Sequence, residues 1–160
     1  MKRIVLISCS AQKEQGCLEA RKLYVSPLFK RSLEYAEKLK KLKNVHAIYI
    51  LSAKYGLIEL EKIIKPYNTT LTYVSPKNRK ADLHVLTPDE KKVWGKRVAK
   101  KLEQVADLQD DTFIILAGQN YLKPIKDYLN ESNIIEPLKG FAQGKRIPEL
   151  KRLIKLLDVE

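Results

Sequence analysis

Four short segments of this chain concentrate side chains able to act on a ligand. They are Cys9-Ser10-Ala11-Gln12-Lys13, Ser52-Ala53-Lys54-Tyr55-Gly56, Gly118-Gln119-Asn120-Tyr121 and the run from Gly140 to Arg146. Cys9 and Ser10 are the nucleophile candidates, and Lys54 completes the expected catalytic set. Lys13, with Lys54 and Lys145, suits an anion such as phosphate. Tyr24, Tyr55, Tyr67 and Tyr121 are candidates for stacking on a base or ordering a pocket. Ser52, Thr70, Gln119 and Asn120 add polar contacts, and Gly56, Gly118, Gly140 and Gly144 let backbone approach a ligand closely.

Each of these residues also has a plainer role. Cys9 fits a small buried thiol at a strand end, and Ser10 fits a cap. Tyr55 and Tyr67 fit amphipathic packing with a hydroxyl in water, and Gly118 fits a simple turn. No histidine lies near Cys9 in sequence, so a base would have to arrive through space. A lysine directly after a buried strand, as Lys54 is, needs an anionic or solvent outlet. Carboxylates are sparse around these segments, with Glu14, Glu19, Glu59, Glu61 and Glu136 the nearest, so a paired-carboxylate mechanism is not expected.

No Walker A or Gly-x-Gly-x-x-Gly fingerprint is present. Cys9, Cys17, His46 and His84 are the only cysteines and histidines, and they lack the spacing of a structural zinc site. Neither a metal nor a cofactor is expected.

The elements that must position these residues follow from local pattern. Arg3 to Ser8 is a continuous apolar run, typical of a strand buried on both faces. A polar stretch follows from Cys9 to Tyr24. Ser26-Pro27 then opens a helix, with Leu28, Phe29, Leu33, Ala36 and Leu39 as its buried stripe and lysines toward its carboxyl end. Val45 to Leu51 reads as a second strand, followed by a long irregular segment through Leu71. Thr87-Pro88-Asp89-Glu90 is a capping box that starts a helix to about Ala106. Thr112 to Ala117 is a third strand, and a helix follows Gly118 to near Asn130. Ser132 to Glu136 is a short fourth strand, and Pro148 to Leu157 a closing helix.

Alternating strands and helices predict a single α/β domain over residues 1–160. Its expected form is three-layer and Rossmann-like, a mostly parallel sheet of four or five strands with helices on both faces. Ligands of such sheets bind beyond the strands' carboxyl ends. All four chemistry-bearing segments are expected to converge on that edge.

Composition sets the outer bounds. At 160 residues, 44% hydrophobic and 31% charged, the chain has the make-up of a folded globular domain. The apolar start at Ile4 turns polar by Cys9, too soon for a signal peptide or lipoprotein leader, and no apolar run approaches the ~18 residues of a membrane span. A cytoplasmic protein with free thiols is expected. The net charge of +12 invites a nucleotide or other phosphate-bearing molecule, or DNA or RNA. Seven of the 31 basic residues are arginine, however, and such a lysine excess also fits solvated helix faces. A non-catalytic nucleic-acid module using the lysine-rich stretches Leu33–Lys43 and Lys91–Lys101 is the rival to an enzyme-like nucleotide-binding domain.

The same segments carry a resemblance. Cys9-Ser10-Ala11-Gln12-Lys13, Ala20 to Phe29, Leu51 to Leu57, Pro66 to Leu71 and Ala117 to Tyr121 resemble the motifs of a bacterial and phage domain family of unknown function. These are Cys-Ser/Thr-x-x-Lys, Ala-x-x-Leu-Tyr-x-Ser-x-x-Phe, Leu-Ser-Ala-Lys-Tyr-Gly-Leu, Pro-Tyr-x-x-Thr-Leu and Ala-Gly-x-x-Tyr. The Gly140–Gly144 spacing also fits, with a more basic continuation here. The opening strand and turn are fainter matches to peroxide-stress DNA-binding proteins. Gly118-Gln119-Asn120-Tyr121 is similar to the Gly-Gln-Asp-Pro-Tyr turn of uracil-DNA glycosylases, with Asn120 where those enzymes keep an acid.

Overall fold

The structure, a computed structural model, describes residues 1–159. In chain order its elements begin with strands β1 (Arg3–Ser8) and β2 (Leu18–Glu19) and helices α1 (Ala20–Leu23) and α2 (Pro27–Leu42). Next come β3 (Ala47–Ser52), β4 (Gly56–Glu59), β5 (Ile63–Ile64), β6 (Thr69–Thr70), β7 (His84–Val85) and α3 (Pro88–Glu103). The chain closes with β8 (Thr112–Leu116), α4 (Gln119–Lys126), β9 (Ile134–Ile135) and α5 (Arg146–Val159).

The main sheet has five strands in the order β4-β3-β1-β8-β9. β3, β1, β8 and β9 run parallel, and β4 is antiparallel to β3 at one edge. β1 is central, and its residues Ile4 to Ile7 are at most 1% exposed, so both faces of the strand are covered. Two small pairs lie beside the sheet: β2 with β5, antiparallel, and β6 with β7, parallel.

Local chemistry explains where the long helices start. The Ser26 hydroxyl accepts from Phe29 N–H at 3.1 Å, and Pro27 occupies the first helical position of α2. α3 carries a complete capping box, with Thr87 and Glu90 satisfying each other's backbone N–H groups. α2 packs on α5 and on β1 and β3, while α3 packs on α4 and β4. Gly95 allows the α3–α4 approach: a Cβ there would stand 2.1 Å from the Pro124 carbonyl oxygen.

Several expected boundaries shift. β3 begins at Ala47 and includes Ser52, and α3 ends at Glu103 rather than near Ala106. α4 stops at Lys126, and Ser132 and Asn133 lie in a 3-10 turn before the two residues of β9. α5 starts two residues before Pro148, which suits a proline because the first turn needs no internal N–H donor. In α2 the buried face is carried by Phe29, Ser32, Tyr35, Ala36 and Leu39, with Leu28 and Leu33 half-buried.

The largest correction concerns the segment after Ser52, expected to be irregular. It opens with a tight hairpin in which Ser52 pairs with Gly56 and Leu51 with Leu57. Gly56 takes φ +75°, the left-handed conformation that closes short hairpin loops. Leu57 and Ile58 are then buried as an antiparallel edge strand. Leu60, Ile64 and Tyr67 are buried beyond it, so this segment forms part of the core rather than a loose loop.

Candidate functional site

Parallel register brings the strand ends together. Ser8 is level with Leu51, and Ile7 with Leu116, so the residues leaving β1, β3 and β8 emerge as neighbours. Cys9 extends the β1–β3 ladder by one bond, donating its N–H to the Leu51 carbonyl at 3.0 Å. Its half-buried thiol donates to the Tyr121 hydroxyl at 3.5 Å. Tyr121 stands on the first turn of α4, immediately after β8.

The chain beyond Cys9 doubles back on the segment before α2. Ser10 donates its hydroxyl to the Gln12 carbonyl at 2.9 Å, which commits that proton to a turn. Lys13 then bridges Tyr24 in antiparallel fashion, supported by Val25 N–H to Gln12 O at 3.0 Å and Glu14 N–H to Leu23 O at 2.8 Å. This clamp sets the Lys13 ammonium over the Tyr67 ring, 4.3 Å from its centre, and 5.9 Å from that of Tyr24. Burial lowers the Lys13 pKa from its ordinary value, while the neighbouring Cys9 works in the opposite direction.

Beneath Lys13 lies a chain of hydroxyls. Tyr24 and Tyr67 hydroxyls are 2.6 Å apart, and Tyr67 is 2.8 Å from the Ser52 hydroxyl. Ser52 is fully buried; its hydroxyl also accepts from Tyr55 N–H at 3.0 Å, and its carbonyl accepts from the Trp94 indole at 2.9 Å. Thr70, in β6, and the Leu71 backbone just after it stand near enough to the Tyr121 hydroxyl to lower its pKa, against the larger effect of burial. Every buried side-chain nitrogen and oxygen among the described residues has a partner. Burial first, and the proximity of Cys9 second, push the Tyr24, Tyr67 and Tyr121 hydroxyls well above their ordinary pKa. These hydroxyls therefore stay protonated at neutral pH.

The structure thus gathers Cys9, Lys13, Tyr24, Ser52, Tyr55, Tyr67, Thr70 and Tyr121. The rings of Tyr24, Tyr67 and Tyr121 are buried among one another, Phe29 and Trp94, so they order the site rather than offer a stacking face. Tyr55 is half-buried, edge-on to Tyr67 at 5.5 Å. Lys54 sits exposed at the hairpin tip, and solvent is its outlet; its ammonium is 5.5 Å from the Tyr55 ring. The Arg97 guanidinium donates to the Lys54 carbonyl at 2.9 Å and lies over Gly56.

Other expected residues stand apart. Gly118 caps α4 without a side chain, Asn120 is exposed, and Gln119 donates to Glu136 at 2.9 Å. Gly140 and Gly144 are exposed, with open space where a side chain would project. No histidine joins Cys9: His46 is exposed ahead of β3, and His84 pairs with Glu90 at 2.9 Å. Trp94 and Arg97 were not expected at the site. In α3 Trp94 is buried and Arg97 exposed, three residues apart on neighbouring positions of the helix surface, and nothing local in sequence names Ser52 or Lys54 as their partners.

Among the described residues, no carboxylate lies within 4.0 Å of the Lys13, Lys54 or Arg97 cationic groups, whereas Lys38 and Lys101 pair with Asp158 and Glu59. No three His, Cys, Asp or Glu side chains gather to hold a metal ion among the described residues. Among the described residues, no helix is long and apolar enough to cross a membrane. Open depressions of about 520 Å³ beside Ala106 to Gln109 and about 420 Å³ along α2 contain none of the gathered residues.

Chemically, the arrangement presents one thiol to buried hydroxyls, with the Lys13 ammonium nearby and, among the described residues, no acid to neutralise it. Such a setting can hold an anionic ligand beside it. No solved structure matches this chain. The family described as "Family of unknown function (DUF6884)" matches residues 4–152, a span running from β1 into α5 and including every residue gathered at the strand ends, and the chain belongs to that family.

Proposed function

We propose that the chain is one three-layer, Rossmann-like domain that binds a nucleotide or another phosphate-bearing small molecule at the carboxyl ends of β1, β3 and β8. Cys9 is its nucleophile in a glycosidic-bond or phosphoryl-group reaction. The observation that carries this proposal is Lys13, half-buried over the Tyr67 ring with no carboxylate partner among the described residues, beside a thiol held among buried hydroxyls. Lys54 and Arg97 stand at the neighbouring β3–β4 hairpin. A half-buried cation without a carboxylate partner favours an anion from outside. Cys9 is favoured over Ser10 because its thiol faces the buried Tyr121 hydroxyl of the cluster, whereas the Ser10 hydroxyl turns away to the Gln12 carbonyl in an exposed turn.

The test is a thermal-shift panel of nucleotides, nucleosides and inorganic phosphate on the wild type, Lys13→Met and Cys9→Ala. A ligand at a hundred times its dissociation constant stabilises folding by about 2.7 kcal/mol, a readily measured shift. Stabilisation of the wild type and loss of that shift in Lys13→Met is the expected result. A panel with no stabilising member, or equal shifts in wild type and Lys13→Met, removes the proposal. Binding that persists in Cys9→Ala while turnover disappears assigns the chemistry to the thiol.

A further inference from the structure

Between β6 and β7 the chain makes an excursion, residues 71–83, that the strand-end cluster does not use. β6 and β7 are parallel neighbours, Thr69 level with His84 and Thr70 with Val85, so the excursion leaves and returns at one place. Its root is close to the site: Thr70 and the Leu71 backbone stand near enough to the Tyr121 hydroxyl to draw its pKa down against the effect of burial. Tyr73 follows two residues later, which holds its Cα within about 7.6 Å of the Leu71 Cα.

The excursion has internal order. Asn78 N–H donates to Ser75 O at 2.9 Å, and its side-chain amide donates to the Ser75 hydroxyl at 2.9 Å. Arg79 Nε donates to Val74 O at 2.6 Å, and Leu83 N–H to Lys80 O at 3.0 Å. This folding carries the Arg79 guanidinium to 5.7 Å from the Tyr73 ring centre. Tyr73 nonetheless stays 67% exposed, so much of its ring remains open to a ligand.

A single exposed aromatic is ordinary on a protein surface. What distinguishes Tyr73 is its company. Lys77 and Lys80 are exposed in the same excursion, and neither they nor Arg79 have a described carboxylate within 4.0 Å. Asp82, the excursion's one acid, is engaged by the Asn68 amide. A ring braced by a guanidinium and flanked by unneutralised lysines offers π-stacking and phosphate contact together. That combination recognises a nucleotide chain, whereas an apolar peptide would gain little from the three cations.

We infer that residues 73–80 form a single-stranded nucleic-acid contact. A base stacks on Tyr73, braced by Arg79, and the adjoining phosphates lie against Lys77 and Lys80. The inference rests on the proposed function in one respect: the strand-end site takes one nucleotide unit, and Tyr73 takes a neighbouring unit of the same strand.

The experiment measures fluorescence anisotropy of labelled oligothymidylate of about ten nucleotides, and of its oligouridylate counterpart, within the site sizes of single-strand binders. At least one oligonucleotide binds the wild type, and the tighter one identifies the sugar. Tyr73→Ala weakens binding about tenfold, and Tyr73→Phe, which keeps the ring, restores it. Lys77→Ala and Lys80→Ala each reduce the log–log salt slope by about 0.7. The mononucleotide thermal shift is unchanged in Tyr73→Ala. Wild-type affinity in both Tyr73→Ala and Arg79→Ala, or no binding of either oligonucleotide, overturns the inference. Oligonucleotide binding that depends on Tyr73, without any mononucleotide shift, removes the strand-end proposal and leaves the Tyr73 surface standing.

Discussion

The hydroxyls of Tyr24 and Tyr67 stand 2.6 Å apart beneath Lys13, and Tyr67 passes the contact on to Ser52 at 2.8 Å. Tyr67 is therefore the middle link of a buried chain whose ends come from the segment before α2 and from the end of β3. Removing its hydroxyl leaves two buried oxygens each short of a partner. Tyr67→Phe should destabilise the fold by about 1–3 kcal/mol in denaturant titration. A cycle with Ser52→Ala should show non-additivity of about 0.5 kcal/mol or more, as expected for groups in one network. Additive effects would mean the two hydroxyls do not support each other.

Alkaline pH probes the same chain. Burial first, then Cys9, raise the Tyr24, Tyr67 and Tyr121 pKa values, so the folded form keeps protons that the unfolded form releases. The stability they contribute is complete below the unfolded tyrosine value of about 10 and is lost as pH rises above it. Denaturation midpoints should fall above that pH, and less steeply in Tyr67→Phe. Phenolate absorbance should rise together with unfolding rather than before it for these three rings.

Lys13 predicts a separation of stability from binding. Burial lowers its pKa, Cys9 offsetting part of the effect, so the folded state disfavours the ammonium. Folding stability therefore gains as pH climbs from the lowered value toward the unfolded value of about 10.4. Lys13→Met keeps an apolar stem over Tyr67 and removes the buried charge. Its stability at neutral pH should stay within about 0.5 kcal/mol of wild type or rise. Its anion-induced thermal shift should vanish. A loss of stability well beyond that range would make Lys13 a structural cation instead.

The two cysteines should report on occupancy. Cys17 is exposed and Cys9 half-buried beside Tyr121, so iodoacetamide should modify Cys17 first. A ligand at the strand ends should slow modification of Cys9 and leave Cys17 unchanged, as read by peptide mass spectrometry. Equal protection of both thiols would point to global stabilisation rather than a site.

Gly95 and Gly56 should differ in tolerance. A Cβ on Gly95 meets the Pro124 carbonyl oxygen at 2.1 Å, so Gly95→Ala must push α3 and α4 apart. A cost of about 1–3 kcal/mol or more is expected. At Gly56 the obstacle is chiefly its φ of +75°, with the flexible Arg97 side chain 3.2 Å away. Gly56→Ala should cost about 1–2 kcal/mol, the ordinary strain of an L-residue in that conformation. Thermal denaturation of the two variants makes the comparison.

Local interactions account for what was legible without coordinates. The Ile4–Ile7 run reads as a doubly covered strand, and Ser26-Pro27 and Thr87-Pro88-Asp89-Glu90 start helices through contacts three residues apart. The same adjacency placed Cys9, Ser52 and Tyr121 at or just beyond strand ends. The β4 hairpin is not legible in sequence because its signal, one glycine after a three-residue turn, is also the signal of an irregular loop.

Tertiary structure alone decided which of those residues meet. Cys9 and Tyr121 lie 112 positions apart, and Tyr24 and Tyr67 lie 43 apart. Their contacts depend on the register of β1 against β3 and β8, and on the path by which β6 returns to the strand ends. Gly95 against Pro124, Trp94 against Ser52 and Arg79 over Tyr73 belong to the same class. Sequence by itself set each residue's chemistry and local element. Which polar groups face one another in the buried site depends on strand order and helix packing, and those are properties of the whole chain.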